Sequence, residues 1–155
     1  MAVPLLAACS SSPRGPVEVA RPTAGQPTLI VLRVERRAEG YVIFAQLSNP
    51  GPETWTIETY NDKARARVQL PDKVEGGWED CVLYDFCGNG VAWAELRPGE
   101  SVELRTTAEL DWKLIRLRIR MLRGAMRMLE GYAIPWPPDS DDSWSCAEPL
   151  QLGSD

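Results

Sequence analysis

The four cysteines are the residues of this chain with the most varied chemistry, since a thiol can form a disulfide, bind a metal, exchange with other thiols or carry a lipid. Cys81 and Cys87 enclose the segment V-L-Y-D-F, a spacing that differs from the C-x-x-C of redox and metal sites. The chain contains no histidine, which removes the commonest general base, the usual zinc ligand and every Ser-His-Asp or Cys-His arrangement. We therefore expect no enzyme activity, no metal and no cofactor.

Charged side chains offer a second kind of chemistry, the recognition of a ligand. Arg116, Arg118 and Arg120 alternate with apolar residues, so on a strand they would share one face. That face could hold an anionic glycan or a lipid headgroup. Cross-strand ion pairing is the simpler interpretation, and the candidate partners are Glu58, Glu95 and Glu103. The acidic run at residues 139–142 lacks the glycine and terminal glutamate of a calcium loop, and we expect a solvated loop there.

The elements that must position these residues are strands. Short alternating or apolar segments are separated by Pro, Gly and Asn turns, and they cover residues 28–34, 41–47, 55–59, 64–70, 91–96, 101–107 and 113–121. The segment R-P-G-E at residues 97–100 predicts a type II turn, because Pro fixes φ and Gly accepts a positive φ. We therefore predict an all-β protein with a single antiparallel β-sandwich of about seven or eight strands in residues 28–138. A small barrel is the alternative fold.

Composition limits the partners. The net charge is −5, whereas a nucleic-acid-binding domain is usually basic. No run approaches the roughly 20 apolar residues of a membrane-spanning helix, so the folded part is expected to be soluble. We expect no nucleic acid among the partners of this chain.

The segment L-A-A-C at residues 6–9 resembles the lipobox of bacterial lipoproteins, in which a leucine lies three residues before the cysteine. In that family the cysteine receives a diacylglycerol, and the peptide before it is cleaved. The resemblance implies that residues 1–8 are the remnant of a signal peptide that starts upstream, and that lipidated Cys9 begins a flexible tether over residues 9–27. It implies a lipid-anchored protein of the cell envelope that faces the periplasm. In a Gram-negative host it favours the outer membrane, because Ser10 is not the retention aspartate.

An oxidising compartment favours a disulfide, and with Cys9 lipidated three cysteines remain. We predict a bond between Cys81 and Cys87, because closing so short a loop costs little entropy. Two alternatives stay open: Cys146 pairs with one of them and holds the C-terminal segment, or the thiols are free.

Aromatic residues near this loop are the candidate partner contacts. A disulfide would fix Tyr84 and Phe86 in the loop, with Trp78 beside them, and preorganised aromatic side chains favour binding. The alternative is that these side chains pack inward, as we expect of Trp55 and Trp93 in their strand patterns. Trp78 also belongs, with Trp136 and Trp144, to loops rich in Gly or Pro, where packing against the ends of the sandwich is the simpler interpretation.

Three further segments are similar, in their order, to uncharacterised bacterial secreted or lipid-anchored domains with an immunoglobulin-like sandwich. They are G-G-W-E-D at 76–80, F-C-G-N-G-V at 86–91 and L-R-P-G-E-S-V-E-L at 96–104. The chain is also distantly similar to intracellular proteinase inhibitor (BsuPI-like) domains. The resemblance covers roughly residues 28–134. It implies a fold and a cellular location but no catalytic residue.

The combined expectation is a lipid-anchored, extracytoplasmic module that binds a partner or makes structural contacts. The expected partners are the membrane, through the anchor, and an envelope protein or a protease. A proteinase-inhibitor-like module and an accessory subunit of an envelope complex are the alternative functions. Residues 139–155 are expected to be an acidic C-terminal tail.

Overall fold

The computed structural model of the chain describes residues 24–60, 63–81, 91–129, 132–135 and 143–153. These residues contain strands and no helix. The strands are β1 (Thr28–Arg37), β2 (Gly40–Ser48), β3 (Trp55–Tyr60), β4 (Lys63–Ala64), β5 (Arg67–Pro71), β6 (Trp78–Asp80), β7 (Val91–Leu96), β8 (Ser101–Ala108), β9 (Leu114–Arg123), β10 (Met126–Leu129), β11 (Tyr132–Pro135), β12 (Ser143–Cys146) and β13 (Leu150–Gln151).

The smaller sheet has three antiparallel strands, with β2 between β1 and β8. β1 and β2 form a hairpin in which Arg37 lies opposite Gly40, and β1 has a bulge between Val31 and Arg33. Alternate residues of β2 are buried, as a half-buried strand requires, and they are Tyr41, Ile43, Ala45 and Leu47.

The larger sheet has eight antiparallel strands, and β9 lies at its centre. One edge of β9 pairs with β12 and then with β13, while the other edge pairs with β3 and then with β5. β7 pairs with the far edge of β3, and β6 pairs with the far edge of β5. The structure has more strands than the seven or eight expected, partly because two strands, and not one, pair along each edge of β9. β10 and β11 form a separate hairpin.

The core lies between the two sheets, and the alternation of β9 supplies much of it. Ile115, Leu117, Ile119 and Met121 are at most 1% exposed and belong to one cluster with Leu47 and other residues of β2. Burying a side chain of this size contributes about 1.5–3 kcal/mol. The prediction that residues 113–121 form a strand is confirmed, and so is the antiparallel β-sandwich.

The C-terminal segment belongs to the sandwich beyond the expected boundary at residue 138. β12 and β13 pair with β9, and Leu152 is 2% exposed in the core. The expected acidic tail over residues 139–155 therefore contains two strands of the larger sheet.

The predicted turn at residues 97–100 is present. The Glu100 amide donates to the Arg97 carbonyl at 3.0 Å, and Gly99 has a φ of 78°. Glycine adopts this conformation without the strain that a Cβ would cause. The turn joins β7 to β8 and so connects the two sheets.

Candidate binding face

The outer face of the larger sheet carries arginine, tryptophan and acidic side chains, and we call it the arginine–tryptophan face. Because the intervening residues of β9 point into the core, Arg116, Arg118 and Arg120 point to this face, as predicted. Strand pairing sets Arg67 beside Arg118 and Gln69 beside Arg116. The other members, from β3, β6, β7 and β12, are Glu58, Trp78, Asp80, Trp93, Trp144 and Cys146.

Arg116, Arg118 and Arg120 each have the guanidinium over a tryptophan ring. The distance from the guanidinium carbon to the ring centroid is 3.7 Å for Arg118 and Trp144, 4.9 Å for Arg116 and Trp78, and 5.3 Å for Arg120 and Trp93. Cation–π contacts of this kind contribute about 0.5–1 kcal/mol at exposed sites and about 2 when desolvated. The three tryptophans therefore favour the observed positions of the guanidinium groups.

Glu58 is the more deeply buried carboxylate of the face, at 7% side-chain exposure. The Nη2 group of Arg67 donates to both of its oxygens, at 2.7 and 2.8 Å, and Nη1 of Arg120 lies 4.0 Å from Oε2. Of the three expected carboxylate partners, Glu58 is confirmed. Glu95 instead accepts from the Met126 amide at 3.0 Å, and Glu103 belongs to the smaller sheet.

Asp80 is the second carboxylate of the face. It accepts a hydrogen bond from Nη2 of Arg118, and the same carboxylate oxygen lies 3.6 Å from Nη1 of Arg67. Its other oxygen accepts from the Gln69 amide at 3.0 Å. Asp80 is thus shared by two arginines and is fixed by a neutral neighbour.

Arg116 is the most buried arginine of the face, at 9% exposure. Its Nε and Nη2 groups both donate to Oε1 of Gln69, at 2.9 and 2.7 Å. Burial lowers the pKa of Arg116, since water no longer solvates the guanidinium. Cys146 and Asp80 act against this shift, whereas the nearby charge of Arg118 acts in the same direction. No carboxylate of the described residues forms an ion pair with it, so a buried cation is held here by a neutral amide oxygen.

The cysteines are described in part. Neither Cys81 nor Cys146 forms a disulfide with another described residue, and Cys87, the predicted partner of Cys81, lies outside the described part of the chain. Cys146 lies on β12 opposite Arg118, whereas the Cys81 amide donates to the Val68 carbonyl of β5.

The two described thiols are too far apart to bond to each other. Three strand intervals separate them, about 14 Å, and a disulfide spans about 7 Å at most between Cα atoms. This distance excludes a disulfide between Cys81 and Cys146. Burial, followed by the charges of Glu109 and Glu79, raises the pKa of the Cys81 thiol.

Of the three predicted contact residues, the structure describes Trp78. Trp78 belongs to the arginine–tryptophan face, where it covers Arg116. Tyr84 and Phe86 lie outside the described residues, as do Cys9 and the acidic run at 139–142.

A cavity of about 350 Å³ lies elsewhere, between β3, β7 and β8. Two carboxylates line it, but both are engaged with the backbone. Glu95 accepts from the Met126 amide at 3.0 Å, and Glu100 accepts from the Arg97 amide at 2.8 Å. Glu95 also lies 3.7 Å from Nε of Arg97, so both carboxylates have partners within the fold.

Comparison of the sequence with protein-family models and with curated proteins found no match. In the described part of the chain, three or more His, Cys, Asp or Glu side chains nowhere come together as a metal site would require. Within the same residues, no helix has the length and apolar character needed to cross a membrane.

Sequence reasoning missed Asp80, Gln69 and the position of Trp144 on this face. Residues 78 and 80 share one side of any strand that contains both, so the W-E-D segment could have predicted that Trp78 and Asp80 lie on the same face. The four residues of β12 follow a Pro- and Asp-rich segment, and only the pairing with β9 reveals that Trp144 lies beside Arg120.

Proposed function

We propose that the protein is a binding module of the bacterial cell envelope, held at the membrane by a lipid on Cys9. The observation that carries the proposal is the L-A-A-C segment at residues 6–9, which resembles a lipobox and is followed by a Ser-, Pro- and Gly-containing segment up to β1. Two or more acyl chains make membrane attachment stable, since each buried methylene contributes about 0.8 kcal/mol. A folded sandwich on such a tether suits a protein that binds.

The tether would let the sandwich turn any of its faces toward the membrane or toward a partner. Pro27 is buried in the sandwich and its carbonyl accepts from Ser145, so the tether ends before it. At full extension, residues 10–23 span roughly 48 Å. Trp78 supports a role in binding, since this candidate contact residue lies on the arginine–tryptophan face among partly exposed arginines. We propose this face as the binding surface.

The test of the anchor is detergent partitioning of the chain expressed behind a complete signal peptide that ends at Ala8. The unmutated protein should enter the detergent phase and incorporate labelled palmitate. Cys9→Ser should remain in the aqueous phase without label, whereas the control Cys146→Ser should behave as the unmutated chain. Equal partitioning of Cys9→Ser and Cys146→Ser would refute the anchor.

We also propose that Cys81 and Cys87 form a disulfide in the oxidising compartment. The strand geometry supports this pairing indirectly, because Cys81 lies too far from Cys146 to bond with it. Peptide mapping without reductant should recover a Cys81–Cys87 peptide and find Cys146 alkylated. Recovery of a Cys87–Cys146 peptide would contradict the proposal.

A pull-down from envelope extract tests the binding role. Capture of a defined envelope component, reduced by Trp78→Ala, is the expected result. Capture of a protease whose activity the module blocks would favour the inhibitor-like function instead.

A further inference from the structure

We propose that the arginine–tryptophan face is a phosphate-binding site centred on Arg116 and Arg118. The ligand class is a phosphomonoester, either in solution or as the terminal phosphate of a lipid headgroup. The inference deepens the proposed function and rests on it for the biological source of the ligand. The chemistry itself depends only on the folded sandwich.

The first argument is charge. Arg67, Arg116, Arg118 and Arg120 contribute four guanidinium groups to the described face, whereas Glu58, Asp80 and Glu95 contribute three carboxylates. The described face therefore has more guanidinium groups than carboxylates, which favours an anionic ligand, and a phosphomonoester carries about −1.5 to −2 at pH 7. The chain as a whole has a net charge of −5, so this local excess opposes the overall charge.

The second argument is the way in which Arg116 is held. Both of its described hydrogen bonds go to one neutral oxygen of Gln69, at 2.7 and 2.9 Å. A buried cation is costly unless an anion balances it. A phosphate at this point would supply that balance without displacing Gln69, since an arginine has five N–H donors.

The third argument is Arg118, the nearest cation to Arg116 along β9. Among the described residues its acidic partner is Asp80, which Arg67 also approaches, and its buried Nε has no acceptor. The Cα atoms of Arg116 and Arg118 are two residues apart on one strand, about 6.6 Å. At this spacing the two guanidinium groups can approach one phosphate, which arginine binds in a bidentate manner.

The fourth argument is preorganisation by the aromatic side chains. Trp78 covers Arg116 and Trp144 covers Arg118, so the two guanidinium groups are held against these rings before a ligand arrives. Fixing these long side chains in advance lowers the entropy that binding would otherwise cost. Stacking leaves the N–H edges of a guanidinium free to donate, because the ring contacts its plane.

The experiment uses the full chain with Cys9→Ser, so that the result does not depend on the lipid anchor. Isothermal titration with inorganic phosphate at low ionic strength should give saturable binding, and chloride at equal ionic strength should give none. Arg118→Gln should weaken phosphate binding at least tenfold. Arg105→Gln is the matched control, since Arg105 is an exposed arginine on β8 of the other sheet, and it should change the affinity less than twofold.

Vesicle flotation separates the two sources of the phosphate. Binding to phosphatidylcholine vesicles that contain phosphatidic acid, lost in Arg118→Gln, assigns the site to a lipid headgroup. Binding of inorganic phosphate without vesicle binding assigns it to a soluble phosphomonoester.

Three outcomes would overturn the proposal. They are no binding to either probe, equal phosphate affinity in Arg118→Gln and Arg105→Gln, and vesicle binding that persists in Arg118→Gln.

If Arg118→Gln does not fold by circular dichroism, Arg118→Lys replaces it, because lysine retains the charge without the planar fork. A loss of at least threefold is then expected, and unchanged affinity overturns the site. A failure of Cys9 lipidation would leave all these measurements valid.

Discussion

Glu58→Gln is the substitution that most directly tests how the arginine–tryptophan face is stabilised. The change removes one negative charge but keeps the size and shape of the side chain, so it creates no cavity. Glu58 is 7% exposed and accepts from Nη2 of Arg67 at 2.7 and 2.8 Å, with Arg120 at 4.0 Å. A glutamine can offer only one neutral oxygen to these two cations.

The expected loss follows from the exposure of the partners. Removing one member of a fully buried ion pair costs about 3–5 kcal/mol, and a hydrogen bond to a charged group contributes about 1.5–3 kcal/mol. Arg67 and Arg120 are 33% and 34% exposed, so water compensates part of the loss. We therefore expect Glu58→Gln to lower the free energy of unfolding by about 2 kcal/mol, which in a domain of this size lowers Tm by roughly 4–8 °C.

Urea unfolding followed by circular dichroism measures this change. The matched control is Glu103→Gln, since Glu103 is an exposed strand glutamate on the smaller sheet, and its substitution should alter stability by less than about 0.5 kcal/mol. A double-mutant cycle of Glu58→Gln with Arg67→Gln should give a coupling energy of at least about 1 kcal/mol. If Glu58→Gln is no more destabilising than Glu103→Gln, the inference that this carboxylate holds the face together is wrong.

Two further predictions concern the sandwich away from this face. The hydrogen bond from Arg123 holds the pKa of the Glu53 carboxyl below its ordinary value of 4.5, so the stabilisation is present above pH 4.5 and is lost as pH falls through the lowered pKa. We expect Arg123→Gln to return the Glu53 pKa toward 4.5 in an NMR titration, and an unchanged pKa would contradict this cause. Leu117→Ala, at a core position that is 1% exposed, should cost about 2–5 kcal/mol in urea unfolding. Leu110→Ala, at a position that is 38% exposed, should cost under about 1 kcal/mol, and equal losses would refute the assigned core.

The sequence was sufficient to predict the strand at the centre of the larger sheet. The strict alternation of residues 115–121 has a period of two, and a helix would have spread the arginines around its axis. The same alternation predicted that Arg116, Arg118 and Arg120 share one face. The turn at residues 97–100 was also predictable, because Pro and Gly at its central positions restrict the backbone to one turn type.

The remainder of the face was not predictable because it depends on which strands become neighbours. β3 and β5 lie along the same edge of β9 although β4 separates them in sequence, and this arrangement brings Glu58 and Arg67 together. Local patterns carry no information about such pairing. β12 and β13 have four and two residues, too few for an alternation to be recognised.

The same carboxylate also distinguishes a face that only stabilises the fold from a face that binds a ligand. If the arginines serve the fold alone, Glu58→Gln lowers stability and has no further consequence. If the face binds phosphate, the substitution removes one negative charge from it, so phosphate affinity should rise while stability falls. The two effects have opposite signs, and general damage to the fold would lower both. Titration of Glu58→Gln with inorganic phosphate should therefore give an affinity above that of the unmutated chain, and a weaker affinity at a temperature where the variant remains folded would contradict the electrostatic basis of the site.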